Sequence, residues 1–369
     1  MRAPIDSEKI RSILIIRFQR LGDLILVMTL VQNLRAAFPH ARLTLMCQED
    51  YSAFLRYQPG VDEVIAVPKK ARFAAQVSGW FAALRSLLAN SFDIVIDVSD
   101  NRRSSQLTRL TNAPLRVGFW PPARSPARRT IMEKGAYNAF APILSYDDEQ
   151  HGHFVNQYLA PLTALGLSAS RSSPVLAATD ADRVAIRQIL RDTDIEDRPY
   201  AVIHPGARTA NRRWPAKNYP PVIEHLAKKS ISVALIGDEG EHSLAAEIAA
   251  NSPVPFLNFV GRLTLGQLAA LLERCCLYIG NNTGPIHIAA GVGARIVAIY
   301  GIHTTLWAPL TDRLVMVTPT RPCACVNPAA CRPHDPDGSL CVQRNSVADV
   351  LRAIDSQLSA DRRPASAHP

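Results

Sequence analysis

Short runs of β-branched and aliphatic residues, each ending in a polar or glycine-bearing turn and followed by a segment of helical spacing, recur along this chain in two series. In the first series SILIIR, residues 12–17, leads through FQRLGD into LILVMTLVQNLRAAF. ARLTLMC, a helix-like YSAFLRYQ, DEVIAVP, a helical VSGWFAALRSLLAN, DIVIDVSD and LRVGFW follow. The second series opens on PYAVIHPGA. It continues through a helix near NYPPVIEHLAKK, the strand ISVALIGDEG, helices around HSLAAEIAA and TLGQLAALLERC, and the strands CLYIGNNTG and ARIVAIYG. Strands with no polar alternation are buried on both faces, and helices between them are the crossovers of a parallel sheet. The expected fold class is α/β, with two doubly wound, Rossmann-like parallel-sheet domains.

Between the two series lies PPARSPARRTIMEKGAYNAF, rich in proline and arginine and expected to be mostly loop. GHFVNQYLAPLTALGL, expected to be helical despite its proline, comes next, and then SASRSSPVLAATDAD, the best linker by composition. The resulting boundaries are 1–175 for the first domain and 176–345 for the second. Residues 346–358 form a further helix, and 359–369 a disordered tail. Open α/β sheets bind ligands outside the carboxyl ends of their strands, so candidate site residues are sought there.

Charge narrows the partners. Against 32 Asp and Glu the chain carries 41 Lys and Arg, a formal net charge of +9. That balance suits a phosphorylated substrate, a nucleic acid or an anionic membrane face. Nucleic acid is disfavoured, because the basic residues are not interleaved with aromatics, which make up only 7% of the chain. No apolar run is long enough to span a bilayer and the first residues lack a secretory core, so a cytoplasmic protein is expected. Cys47, Cys275 and Cys276 sit in apolar segments and read as buried thiols. Cys323, Cys325, Cys331 and Cys341 cluster in a way that leaves a structural metal or a redox site open.

Three loops carry chemistry at the ends of strands in the second series. In IGNNTGPIHIAAGVGARIVAIYG, residues 279–301, a strand delivers the chain to Asn281, Asn282, Thr283 and Gly284, and Pro285 fits the first turn of a helix. Thr283 or Gly284 is the expected cap, and the free N–H groups of that helix end form an anion site, with His287 on the first turn. A capped structural helix uses the same residues. HPGARTANRRWP offers Arg212 and Arg213 for bidentate contact with phosphate, and LIGDEGE offers Asp238 and Glu239 to a sugar or ribose hydroxyl. In the first series one acid stands out: Asp23, after Gly22, at the end of the first strand. A helix-terminal Asp stabilised by the dipole is the plainer reading; a general base for a hydroxyl nucleophile is the functional one. Neither G-x-G-x-x-G after the first strand nor G-x-x-x-x-G-K-[ST] is present, which removes support for dinucleotide enzymes and P-loop ATPases.

Taken as a set, SILIIRFQRLGDLILVMTLVQNLRAAFPHARL, HPGARTANRRWPAKNY, LIGDEGE and GNNTGPIHIAAGVGARIVAIYG resemble the lipopolysaccharide heptosyltransferases, glycosyltransferase family nine. The resemblance covers almost the whole chain and implies a GT-B architecture, with the acceptor on the first domain and the nucleotide-sugar on the second. It implies a metal-independent, inverting transfer of L-glycero-D-manno-heptose from ADP-heptose to the lipopolysaccharide inner core, with no cofactor. The family's base falls on Asp23, its phosphate-binding residues on Thr283, Gly284 and His287, its basic residue before Trp-Pro on Arg212, and its ribose-side acid on Glu239. Asn282 stands where the family has Asp, and Arg212 where Lys is common, which bears on the donor sugar more than on the reaction class. The implied partners are a nucleotide sugar and an anionic glycolipid acceptor met at the cytoplasmic face of the inner membrane. Arg102, Arg103 and the loop from Pro121 to Arg129 are candidates for gripping acceptor phosphates or the membrane. A related transferase with another nucleotide sugar, an epimerase on a similar scaffold, and a non-catalytic nucleotide-sugar binder are the alternatives.

Overall fold

A computed structural model describes residues 6–69, 73–120, 135–144, 152–193, 195–209, 212–301, 306–320 and 341–359. It divides into two compact units, 1–177 and 178–369. The first holds a six-stranded parallel sheet in the order β3-β2-β1-β4-β5-β6, made of β1 (Ser12–Ile16), β2 (Arg42–Gln48), β3 (Glu63–Val67), β4 (Ile94–Asp97), β5 (Leu115–Trp120) and β6 (Ala139–Pro142). Its helices are α1 (Leu21–Ala37), α2 (Glu49–Leu55), α3 (Phe73–Ala89), α4 (Arg102–Leu110), α5 (Val155–Leu159) and α6 (Pro161–Ala164). Every residue of α1 from Asp23 to Val31 is buried, as a helix covered on several sides must be. α3 and α4 share one face of the sheet, where Ala83, Leu87 and Leu107 pack with Leu14, Ile16 and Val95.

Two expectations need correction in this unit. The stretch read as mostly loop ends in β6, whose residues alternate buried and exposed at the sheet edge. Residues 121–134, with the arginine-rich loop, lie outside the described residues. The helix expected over 152–167 is two short helices, because Pro161 has no N–H to continue α5 and instead opens α6. The stretch read as a linker contains the division between the units, at Ala177, and its first part is held by the first unit: Asn33 Oδ1 accepts from the Ser170 and Arg171 N–H groups at 2.7 and 3.1 Å. Gln32 pairs with the Val175 backbone, and Gln58 with that of Ala177.

In the second unit β7 (Tyr200–His204), β8 (Ser232–Leu235), β9 (Leu257–Asn258), β10 (Leu277–Asn281), β11 (Ile296–Ile299) and β12 (Leu314–Val317) form a parallel sheet in the order β12-β11-β10-β7-β8-β9. The helices are α7 (Asp180–Asp192), α8 (Tyr219–Ala227), α9 (His242–Asn251), α10 (Leu265–Arg274), α11 (Gly284–Gly291) and α12 (Val347–Ser359). Fully buried Trp214, Tyr219, Val222, Ile223 and Ile248 pack with Val350 and Ile354 of α12, so the late helix is a wall of this core. Cys47 is buried, which pushes its thiol up to about 12. Cys275 and Cys276, expected to be buried, are only partly so, since they lie at the chain's turn out of α10. Cys341 is buried, whereas Cys323, Cys325 and Cys331 lie outside the described residues. Among the described residues no helix is long and apolar enough to cross a membrane, and no group of His, Cys, Asp and Glu could hold a metal ion.

Candidate active site

The chain reverses its direction of sheet growth between β1 and β4 in the first unit, and between β7 and β10 in the second. Helices on either side of such a switch point diverge and leave a crevice at the carboxyl ends of the two strands.

In the first unit the loops after β1 and β4 are stitched together: Phe18 N donates to Ser99 Oγ at 3.0 Å, and Val98 N to Ile16 O at 3.1 Å. Arg20 then takes φ 67°, a conformation that costs a non-glycine residue about 1–2 kcal/mol and here turns the chain into α1. That turn sets Asp23 in the first helical turn, 5% exposed. Its carboxylate is clamped from two directions. Arg17 donates to Oδ2 at 2.6 Å and anchors its other arm on Val98 O at 2.9 Å. Tyr158, from α5, donates to Oδ1 at 2.9 Å, and the Arg17 guanidinium lies 5.3 Å from the Tyr158 ring centroid. A carboxylate offers about four lone-pair sites, so positions remain for a substrate hydroxyl.

A second acid sits deeper. Asp97, at the end of β4, is fully buried, and burial raises its pKa. It accepts from the Tyr137 hydroxyl at 2.6 Å and from the Ser99 N–H at 2.9 Å. Gly118 makes this possible, because a Cβ there would lie 2.6 Å from the Tyr137 ring.

The second unit fills its switch point differently. His204, the last residue of β7, contacts Thr283 Oγ1 through Nδ1 at 3.0 Å and Glu241 Oε2 through Nε2 at 3.2 Å. Thr283 occupies the N-cap position of α11, but its side chain makes no cap hydrogen bond, being turned to His204. Pro285 lies in the first turn, as its missing N–H allows. Asn281, fully buried, donates to Pro205 O at 2.8 Å and Gly206 O at 3.1 Å and accepts from Trp214 N at 3.2 Å, stapling the loop after β7. Glu241 lies over glycines: a Cβ on Gly206 would meet its Oε1 at 1.5 Å, and one on Gly237 its Oε2 at 2.5 Å. Burial alone raises the Glu241 pKa, but the His204 contact, the Asp238 N–H and the charge of Arg213 outweigh it and hold the group below its ordinary range.

The candidates read from sequence fall at these two edges. Asp23 lies at the first. Asn282, Thr283 and Gly284, all half-buried, and buried His287 form the turn and first coils of α11. Arg212, exposed, is on the loop after β7, and Glu239, also exposed, on the loop after β8, the same edge of the same sheet. Arg213 donates to Ala207 O at 2.9 Å, bracing that loop. Sequence reasoning missed Arg17, Tyr158, His204, Glu241 and the stapling role of Asn281.

Comparison with known proteins places this geometry. Residues 80–332 match the model of glycosyltransferase family 9 (heptosyltransferase). Lipopolysaccharide heptosyltransferase 3 of Escherichia coli is 24% identical over 299 residues, covering 80% of this chain and 85% of that protein. The solved glycosyl transferase family 9 protein from Veillonella parvula aligns with a TM-score of 0.83 at 22% identity, over 97% of this chain and 99% of that one. The Escherichia coli heptosyltransferase WaaC, solved with ADP-2-deoxy-2-fluoro heptose, aligns with a TM-score of 0.68 at 21% identity, over 94% and 99%. The two six-stranded parallel α/β sheets thus belong to the GT-B fold class, and by the extent of the family match the chain belongs to glycosyltransferase family 9, the heptosyltransferases.

Proposed function

We propose that the protein is an inverting transferase that moves L-glycero-D-manno-heptose from its ADP derivative to an inner-core lipopolysaccharide acceptor. The domain roles follow: residues 1–175 take the acceptor, residues 176–345 the nucleotide sugar, and 346–358 close the second core. Asp23 removes the proton from the acceptor hydroxyl as its oxygen attacks the anomeric carbon. The bond from the anomeric carbon to the β-phosphate oxygen breaks on the opposite face, and ADP leaves with the electron pair on that oxygen.

The observation that carries the reading is the N-terminus of α11. Its cap hydroxyl is committed to His204, so the first N–H groups and the positive helix end are left for an anion. Charge developing on the leaving diphosphate is met there by Thr283 and Gly284, with Arg212 and His287 beside them, and Glu239 takes the ribose. Asn282 orients the same turn as a neutral hydrogen-bonding group. The Escherichia coli neighbour solved with an ADP-heptose analogue supports the choice of donor. An anionic glycolipid acceptor implies peripheral contact with the cytoplasmic face of the inner membrane.

Calorimetry with a panel of nucleotide sugars tests the donor. ADP-heptose should bind most tightly, and preference for a uridine diphosphate sugar would overturn the donor while leaving the reaction class.

A further inference from the structure

Helices on the surface of a water-soluble unit turn their charges outward. α3 does not. Its 17 residues, FAAQVSGWFAALRSLLA, contain one charge, Arg85, and no acid. While Ala83 and Leu87 point into the core, Val77, Phe81 and Leu88 point out, 54%, 70% and 62% exposed. Their spacing of four and seven puts them on one stripe. α4 lies beside it on the same sheet face, with the Arg103 guanidinium 4.9 Å from the Trp80 ring centroid. Its exposed residues include Arg102, Arg103, Arg109 and Leu110, and it too has no acid. Single exposed apolar residues need no explanation, but a stripe of three, flanked by arginines and free of acids, does.

We infer that the outer surface of α3 and α4 is a membrane-docking face that seats the first unit on anionic phospholipid. Phe81, Val77 and Leu88 enter the boundary between headgroups and acyl chains, and Arg85 and Arg109 lie at phosphate level. α3, about 25 Å long, is shorter than a spanning helix, so it lies on the surface. The purpose of this face rests on the glycolipid acceptor proposed above, but its composition and exposure do not. Phospholipid is favoured over a second copy of the chain because neither α3 nor α4 contains an acid that could pair with the other copy's arginines.

Flotation of the full chain with phosphatidylcholine vesicles, with and without phosphatidylglycerol, tests the inference. Wild type should float only with the anionic vesicles, and less as salt rises. The double variant Val77→Asp/Phe81→Asp should lose at least tenfold in binding. Arg85→Glu/Arg109→Glu should lose about fivefold or more per site and flatten the salt dependence. All should keep the wild-type melting temperature and ADP-heptose affinity. Wild type that ignores anionic vesicles, or variants that float as well as it does, overturn the inference. So does sedimentation showing a wild-type dimer that Val77→Asp/Phe81→Asp makes monomeric, which would assign the face to self-association. Transfer to a lipid-free core oligosaccharide should be unchanged in Val77→Asp/Phe81→Asp, while transfer to vesicle-borne acceptor falls. If wild type binds vesicles yet transfers no heptose to either acceptor, the proposed reaction fails and the docking face stands.

Discussion

In the first unit the crevice between β1 and β4 is filled by an ion pair and phenol hydroxyls: Asp23 held by Arg17 and Tyr158, with Asp97 and Tyr137 behind. In the second, the crevice between β7 and β10 is bordered by glycines, a helix end and a hydrogen-bonded set of His204, Thr283 and Asn281, with Glu241 against His204. One topology therefore presents a clamped carboxylate in one place and backbone dipoles in the other. A base must be a particular group at a particular angle, which long side-chain clamps supply. A diphosphate needs many weak donors around it, which backbone supplies as long as no Cβ intrudes.

Variants at each site should separate these two modes. Asp23→Ala should lower kcat about 10³-fold while calorimetry finds donor affinity unchanged; weakened donor binding in a folded variant would refute the assignment. Asn281→Ala strips partners from the buried Pro205 and Gly206 carbonyls and the Trp214 N–H, and should cost about 3 kcal/mol, read as a lower melting temperature of the second unit with the first unaffected. Tyr158→Phe keeps the ring beneath Arg17 but removes one bond to Asp23. It should lower kcat about fivefold with donor affinity constant, and an unchanged kcat would show the clamp idle.

The smallest effect is expected at Glu241. Its pKa is held below the ordinary 4.5, so its contribution to stability is present above 4.5 and is lost as pH falls through the lowered folded value. Glu241→Gln should flatten that acid limb, measured as denaturation midpoint against pH. An acid limb as steep as that of wild type would place the charge–His204 pairing elsewhere.

What was legible in the sequence was local. The SILIIR strand, the turn into α1 and the N-N-T-G-P turn are contiguous patterns, and they lie where expected. The strand β12 and the helices α4 and α7 were not read, because they are short or polar, although the capping boxes Asn101/Ser104 and Thr179/Asp182 announce both helices. Tyr158 meets Asp23 across 135 positions, and Glu241 meets His204 across 37, by chain crossings that no periodicity encodes. Gly206, in the loop after β7, drew no reading of its own from the sequence. Its role is to make room for Glu241.

The placement of α12 has a consequence for how the protein is made. The first unit is complete at Ala177, so on a ribosome it can collapse while synthesis continues. The second has all six strands by Val317, yet Val350 and Ile354 still have to cover Trp214, Tyr219 and Val222. Until residues 347–359 emerge, that half of the nascent polypeptide exposes a greasy surface. A stop codon before them should yield an insoluble product rather than a shortened enzyme.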